Sequence, residues 1–411
     1  MSHKPLRIAV RKFEPFERSM KQAWEAYAKA TGCSLEVELV AMDLHELYNE
    51  TIQQQGLKKG VWDIAHINTD WVCEAYTDNA LCDLAPWLQA NPPEDYPNGW
   101  STSLLSMQRF DEQVVGLPFH DGPECLIYRK DLFEQEENKS AFYKQYKREL
   151  KVPQTWDEYV EVAQFFHRPM DKLYGSVMAL YPDGHNAVFD FCLQLWSRGG
   201  NLVDALGKIR LNTTEAEKAL QFYKALVSQS DCIHPNSFQY ESVQAGAAFA
   251  RGEAAMMVNW FGFASVCEVT KEGALRGKID IASVPAGNNG QGTSLNVYWL
   301  YTIGSGSKYA SIAYDFIRFA ISRQMDKQLT LNGGIGCRVS TWKDPFVNQM
   351  IPYYYKLELL HEQSQTLPRK KNWAAIANRI DQLIQEVLNG DEVIASLLEQ
   401  AQEDINILDH E

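Results

Sequence analysis

Leu6-Arg7-Ile8-Ala9-Val10 opens a run that closes at Trp62-Asp63-Ile64-Ala65-His66-Ile67-Asn68-Thr69-Asp70-Trp71, and what lies between them decides the fold. Both ends have short apolar stretches bounded by polar residues, the pattern of buried strands. After the first, Phe16, Met20, Trp24 and Tyr27 recur at helical spacing and Gly32 ends the stretch, which predicts an amphipathic helix with a glycine stop. A second strand is expected over 35–40, and Asp43 with Glu46 makes a capping box that starts a second helix. The third strand is expected over 62–67. This β-α-β-α-β order, wound with right-handed crossovers, builds a parallel sheet whose ligands sit beyond the carboxyl ends of its strands. The segments that follow the strands, 11–14, 42–43 and 68–71, are therefore the first places to look for function.

The whole chain has 411 residues, enough for about two domains at roughly 100–200 residues each. With 45% hydrophobic and 22% charged residues it has the composition of a globular protein, and no stretch approaches the ~20 apolar residues of a membrane span. A formal net charge of -14 argues against nucleic acid, whose binders carry a basic face. Aromatic residues reach 12%, with 11 Trp; most belong to cores, but the excess suits a pocket that stacks on flat apolar ligand faces. The eight cysteines, at 33, 73, 82, 125, 192, 232, 267 and 337, include no C-x-x-C pair, so no zinc or thioredoxin-like motif is written here. Buried free thiols are the default expectation, and disulfide pairing stays open.

Further along, strands over 114–119 and 125–128 flank the turn His120-Asp121-Gly122-Pro123, which reads as a first crossing between domains. Thr155 with Glu158, and Thr214 with Glu217, predict two more capped helices. Between them fall a strand over 174–180, a polar loop over 181–186 and a helix ending at Gly199-Gly200. A helix over 241–251 stops at Gly252, and strands follow over 254–259 and 279–284. After the glycine-rich 285–293, a strand over 296–303 is the expected second crossing. Helix 308–323, a second glycine-rich link over 332–338, and helices 373–388 and 393–407 complete the chain. There is no internal repeat or low-complexity tract.

Gly116-Leu117-Pro118-Phe119 followed by Leu126-Ile127-Tyr128-Arg129-Lys130-Asp131-Leu132-Phe133 resembles the extracellular solute-binding proteins of ABC sugar importers, the superfamily of maltose-binding proteins. Trp62-Asp63-Ile64 with Asp70-Trp71, and Phe249-Ala250-Arg251-Gly252-Glu253-Ala254-Ala255-Met256-Met257-Val258-Asn259-Trp260, are similar to further landmarks of that family, as are 308–319 and 373–390. The resemblance spans nearly the whole chain. Its cysteine count looks high for the family, and no leader is written before the first strand; a leader removed on export to the periplasm or outer cell face is the expectation, since a first strand this close to residue 1 favours trimming, with a cytoplasmic protein as the alternative. The resemblance implies an α/β fold of the type II periplasmic-binding class: two lobes, each a mostly parallel sheet flanked by helices, joined by crossing strands and closing by a hinge on the ligand. On this reading 1–118 and 291–331 form lobe 1, 119–290 form lobe 2, and 332–411 are lobe 2 or hinge-side helices. It implies a monomer that binds a small carbohydrate and docks on ABC permease subunits, with no cofactor.

A sugar presents apolar C–H faces ringed by hydroxyls, so its pocket needs aromatic plates beside charged or amide groups. Candidates follow from position. Asp70 and Trp71 come after the third strand, against a helix-start charge and a core indole as plain alternatives. His120 and Asp121 sit at the first crossing, where a simple turn aspartate is the alternative. Trp260 follows the 254–259 strand and is the strongest candidate plate; Asn259 stands beside it. Asp183, His185 and Asn186 lie in a polar loop. Tyr298 and Trp299 lie in the second crossing, where alternation turns one to the ligand and the other inward. Arg338 offers a guanidinium fork or a surface ion pair, Arg11 and Glu14 follow the first strand, and Trp373 starts a late helix.

Catalytic motifs are missing from the sequence: no Gly-x-Ser-x-Gly elbow, Walker lysine loop, H-E-x-x-H or Rossmann glycine fingerprint occurs, and the nine histidines show no metal spacing. The leading expectation is a non-enzymatic carbohydrate receptor. A receptor for a polyol or glycerol phosphate, a sensor subunit, and a carbohydrate-active enzyme with paired carboxylates are the alternatives.

Overall fold

The computed structural model describes residues 4–270, 274–287 and 290–409, so residues 1–3, 271–273, 288 and 289 of the glycine-rich loop, and 410–411 lie outside the description. The chain divides into two compact units. The first takes Met1–Gly122, Val297–Tyr355 and Arg369–Lys371; the second takes Pro123–Asn296, Lys356–Pro368 and Asn372–Glu411. Residues 332–355, expected with the later helices, fall in the first unit. A buried carboxylate holds them there: Asp326 Oδ1 accepts from Cys337 N at 2.8 Å and Oδ2 from Arg338 N at 3.2 Å.

In chain order the principal strands are β1 (Leu6–Arg11), β2 (Val37–Met42), β3 (Ile64–Asn68), β4 (Leu117–His120), β5 (Glu124–Tyr128), β6 (Tyr174–Ser176), β7 (Ala254–Trp260), β8 (Asp280–Ala282), β9 (Ser294–Leu295), β10 (Trp299–Ile303) and β11 (Ser364–Gln365). The first unit is built on a five-stranded sheet in the order β2-β1-β3-β10-β4. β1 pairs parallel with β2 and β3, while β10 runs antiparallel to both β3 and β4. The second unit carries the order β8-β5-β7-β6, in which only β5 runs against the other three. Each sheet is thus mostly parallel with one reversed strand, because β10 in the first and β5 in the second, the strands at the two crossings, run against their immediate neighbours.

Helices cover the sheets as the apolar spacing requires. α1 (Glu14–Thr31) buries Phe16, Met20, Trp24 and Tyr27 and ends at Gly32 with φ 72°. Trp24 and Tyr27 pack edge-on against Phe316 with ring centroids 5.0 and 5.6 Å apart, tying α1 to helix Ala310–Ala320. Inside the sheet His66 stacks on Phe119 at 3.9 Å with neither ring nitrogen hydrogen-bonded; burial pushes it down to about 3, so it is a neutral core group. In the second unit α2 (Trp156–Phe166) packs on β6 and β7, and α3 (Asn186–Trp196) packs on α4 (Thr214–Lys224) and α6 (Trp373–Asn389). α5 (Phe261–Val269) lies against β5, β7 and β8. All eight cysteines are free thiols, five of them buried. Among the described residues no helix is long and apolar enough to cross a membrane.

Candidate functional site

The strand register of the first unit gathers one edge. β1, β2 and β3 end there with Arg11, Met42 and Asn68. Antiparallel β10 places its first residue, Trp299, opposite Asn68, and β4 places its last, His120, opposite Trp299. Arg11, Asn68 and His120 are only 6%, 7% and 9% exposed, while Trp299 is half-buried. Trp299 meets Trp71 edge-on at 5.7 Å, and Trp71 in turn lies 5.2 Å from Tyr48. Directly opposed residues of an antiparallel pair share a face, so the Asn68 amide lies beside the Trp299 indole. Its Oδ1 is buried without a hydrogen-bond partner.

His120 and Asp121 are fixed by the glycine-rich return. Ile335 N donates to His120 Nδ1 at 2.9 Å and Asp121 N donates to Ile335 O at 3.0 Å. Burial pushes His120 down to about 3, and a neutral ring with Nδ1 as acceptor fits that bond. Asp70 is buried just before helix Val72–Thr77.

The second unit has an edge of the same kind. β6, β7 and β8 point toward it, and the last residue of β7, Trp260, stands opposite the first residue of β5, Glu124. Trp260 is half-buried and meets Phe189 of α3 edge-on at 5.8 Å. Glu124 is 4% exposed, and its Oε2 has no hydrogen-bond partner. Burial raises its carboxyl well above the ordinary range, and Asp190 of α3 adds to the rise. In the loop before α3, Asp183 Oδ1 accepts from His185 N at 3.0 Å, and Gly184 N, at φ 73°, donates to Asp381 Oδ2 at 3.1 Å. Each unit therefore pairs a half-exposed indole with a buried side-chain oxygen that the protein leaves unbonded.

Residues 22–338 match the family of bacterial extracellular solute-binding proteins. The chain belongs to this family. A probable ABC transporter-binding protein of Deinococcus radiodurans is 24% identical over 344 residues, 82% of this chain and 77% of its own length. Maltose-bound MalE3 of T. maritima matches with a TM-score of 0.85 at 22% identity over 98% of this chain and 99% of that one. A solute-binding protein of Agrobacterium radiobacter K84 in complex with ribitol also gives 0.85, at 23% identity over 98% and 100%.

The candidates of this solute-binding protein divide by what their side chains already do. Trp260 and Trp299 keep part of their rings accessible. Trp71 and Trp373 are 2% and 1% exposed, so they are packing groups. Tyr298 is wholly buried, its hydroxyl donating to Gln108 Oε1 at 2.7 Å; of the two crossing aromatics the outward one is Trp299. Asn259 is engaged at both ends of its amide, accepting from Trp260 N at 2.8 Å and donating to Ser242 O at 3.2 Å. Arg338 is buried over the Trp100 ring at 4.4 Å, with Nη1 donating to Ile321 O at 3.0 Å and Nη2 to Glu94 O at 2.9 Å and Asp95 Oδ2 at 2.8 Å. Its fork is taken up inside the first unit. Glu14 is exposed and pairs with Arg18 at 3.3 Å along α1. Asp183, His185 and Asn186 lead into α3, and Asp183 and Asn186 are largely enclosed. Sequence reasoning passed over Glu124 and left Asn68 out of the candidates. The signal for both is the strand register, which sets each opposite a tryptophan.

Proposed function

We propose that this protein captures a neutral sugar, a small oligosaccharide or a polyol outside the cell and hands it unchanged to the permease of an ABC importer. One observation carries the reading: the paired arrangement of Trp299 with Asn68 and of Trp260 with Glu124. An indole face suits the C–H face of a pyranose or a polyol chain, and an unbonded buried oxygen beside it is the partner a ligand hydroxyl needs. A carboxyl or amide left unbonded in a dry site costs about 1–3 kcal/mol, so a ligand that fills it gains selectivity as well as affinity. The relatives that bind maltose and ribitol support the same ligand class. A phosphorylated ligand fits less well against Trp260, whose register partner is the carboxyl of Glu124.

The test is a thermal-shift screen of the protein against monosaccharides, maltodextrins, polyols and glycerol phosphates, with chemical recovery of each hit. A ligand at a hundredfold excess over its Kd stabilises the native state by about 2.7 kcal/mol, a readable shift. A shift with the sugar or polyol recovered intact supports the reading. A shift with the sugar cleaved replaces it with a carbohydrate-active enzyme, and a response confined to phosphates or to none of the panel refutes the ligand class.

A further inference from the structure

We infer that His120 is a fixed hydrogen-bond donor to the ligand, aimed by a bulge in β4 and held in one tautomer by the Ile335 amide, so that Trp299 is flanked by a donor on one side and the Asn68 acceptor on the other. This donor role deepens the ligand reading and rests on it in taking Trp299 as part of the ligand surface.

The aim of the ring comes from the strand register. Along the β10–β4 ladder Leu300 stands opposite Pro118, whereas Trp299 stands opposite His120, so Phe119 is an extra residue in β4. An extra residue bends its strand and re-aims the side chain beside it. In a regular strand Phe119 and His120 would point to opposite faces. Here both rings meet Phe16 of α1, with centroids 4.8 and 4.6 Å apart. The bulge therefore brings His120 to the α1 face, where His66 also meets Phe16 and where Asn68, two residues further along β3, must lie.

The tautomer comes from the return segment. Ile335 N donates to His120 Nδ1 at 2.9 Å, so Nδ1 carries no proton and the neutral ring carries it on Nε2. The donor amide is itself fixed: Ile335 O accepts from Asp121 N at 3.0 Å, and the next amide, Gly336 N, donates to Thr330 Oγ1 and to the Tyr354 hydroxyl, each at 3.0 Å. A Cβ on Gly336 would press on Asp326 Oδ2, so glycine is what lets the segment lie this close. His120 Nε2 has no hydrogen-bond partner among the described residues and is not wholly enclosed. Burial keeps the ring neutral, opposed by the Asp121 carboxylate. The other titratable groups nearby are His66 of β3 and Cys337 of the return, both held neutral by burial; Phe16, Trp299 and Ile335 do not titrate.

The consequence is a polarity across the plate. β3 and β4 lie on opposite sides of β10, roughly 9.5 Å apart, so Asn68 Oδ1 and His120 Nε2 address different atoms of one ligand. A hydroxyl serves at either position, because it both donates and accepts. A ring, ether or carbonyl oxygen serves only at His120, and an ammonium only at Asn68. The edge thus selects a polyhydroxy ligand in one orientation.

The test uses the full chain with maltose and ribitol as probes, together with any stronger hit from the screen. In nitrogen NMR of the histidine-labelled protein, the His120 ring, assigned by its loss in His120→Asn, is expected to show a proton on Nε2 and none on Nδ1 from pH 5 to 8. A proton on Nδ1 or a cationic ring at pH 7 would overturn the inference. In His120→Asn an amide oxygen can replace Nδ1 opposite Ile335 while the donor is withdrawn, and affinity is expected to fall about tenfold with little change in melting temperature. In His120→Gln an amide N–H can reach the Nε2 position, and affinity is expected to stay within about threefold although stability falls. Wild-type affinity in His120→Asn, or equal losses in the two variants, would reduce His120 to a structural group. If the spectra show the Nε2–H form but no sugar or polyol binds wild type, the ligand reading fails while the tautomer lock stands.

Discussion

Four tryptophans stood as candidate plates, and the distinction among them is one of exposure. Trp260 and Trp299 are half-buried with a free part of the ring, whereas Trp71 stands behind Trp299 as its edge-on support and Trp373 is enclosed. Removing a plate should cost binding, and removing a support should cost folding. Trp260→Ala and Trp299→Ala are each expected to weaken the ligand found in the screen by tenfold or more, about 1.4 kcal/mol, with a small change in melting temperature. Trp71→Ala is expected to cost about 3–5 kcal/mol of stability, as for other buried aromatic truncations. Calorimetry and thermal melts separate the two effects, and a full-affinity Trp260→Ala would remove that ring from the site. Position after a strand was legible in the sequence and put Trp260, Asp70 and His120 among the candidates, while strand alternation put Trp299 there. Register was not legible, because which residue faces a tryptophan across a ladder depends on pairing between segments far apart in the chain. Asn68 and Glu124 were missed for that reason.

Local chemistry made element boundaries legible wherever one side chain or one glycine sets them. Gly32 stops α1, Asp43 accepts from Glu46 N at 2.9 Å and Thr155 from Glu158 N at 3.3 Å, all at the expected positions. The expected Thr214–Glu217 box is displaced by one residue: Thr213 is the cap and accepts from Ala216 N at 3.2 Å. Elements that depend on a distant partner departed further. The strand expected over 174–180 keeps its ladder only through Ser176, and the one expected over 296–303 begins at Trp299, since β9 before it pairs with β11 instead. Helix 308–323 is split by Ser322, which caps the next helix at Arg323–Leu331. Gly175 shows what the short β6 requires. A Cβ there would press into the Ala163 carbonyl of α2, so only glycine lets the strand and helix approach this closely. Gly175→Ala is therefore expected to lower the melting temperature by several degrees, while Gly32→Ala, with open space around it but φ 72°, costs only about 1 kcal/mol. Equal melting temperatures for the two variants would show that the α2–β6 approach tolerates a methyl group.

At the scale of the molecule the chain visits each unit more than once, and such returns are set by tertiary bonds that no local pattern announces. The borders expected at 118/119, 290/291 and 331/332 came from composition and turns, whereas the chain changes unit at 122/123, 296/297, 355/356, 368/369 and 371/372. The last two changes enclose Arg369-Lys370-Lys371, three residues of the first unit between two stretches of the second. A single exposed side chain explains why they belong there. Arg369 Nη1 donates to Arg109 O at 2.8 Å and to Ser106 O at 3.3 Å, and its guanidinium lies 4.3 Å from the Phe110 ring, which itself stacks on Tyr76 at 4.0 Å. Exposed contacts of this kind stabilise by about 0.5–1 kcal/mol, too little to change global unfolding but enough to fix a three-residue strap. Arg369→Ala is expected to leave the unfolding midpoint nearly unchanged and to accelerate hydrogen exchange at 369–371 several-fold, with residues elsewhere in both units unaffected. Unchanged exchange at the strap would mean that its backbone, and not the guanidinium, holds these residues to the first unit.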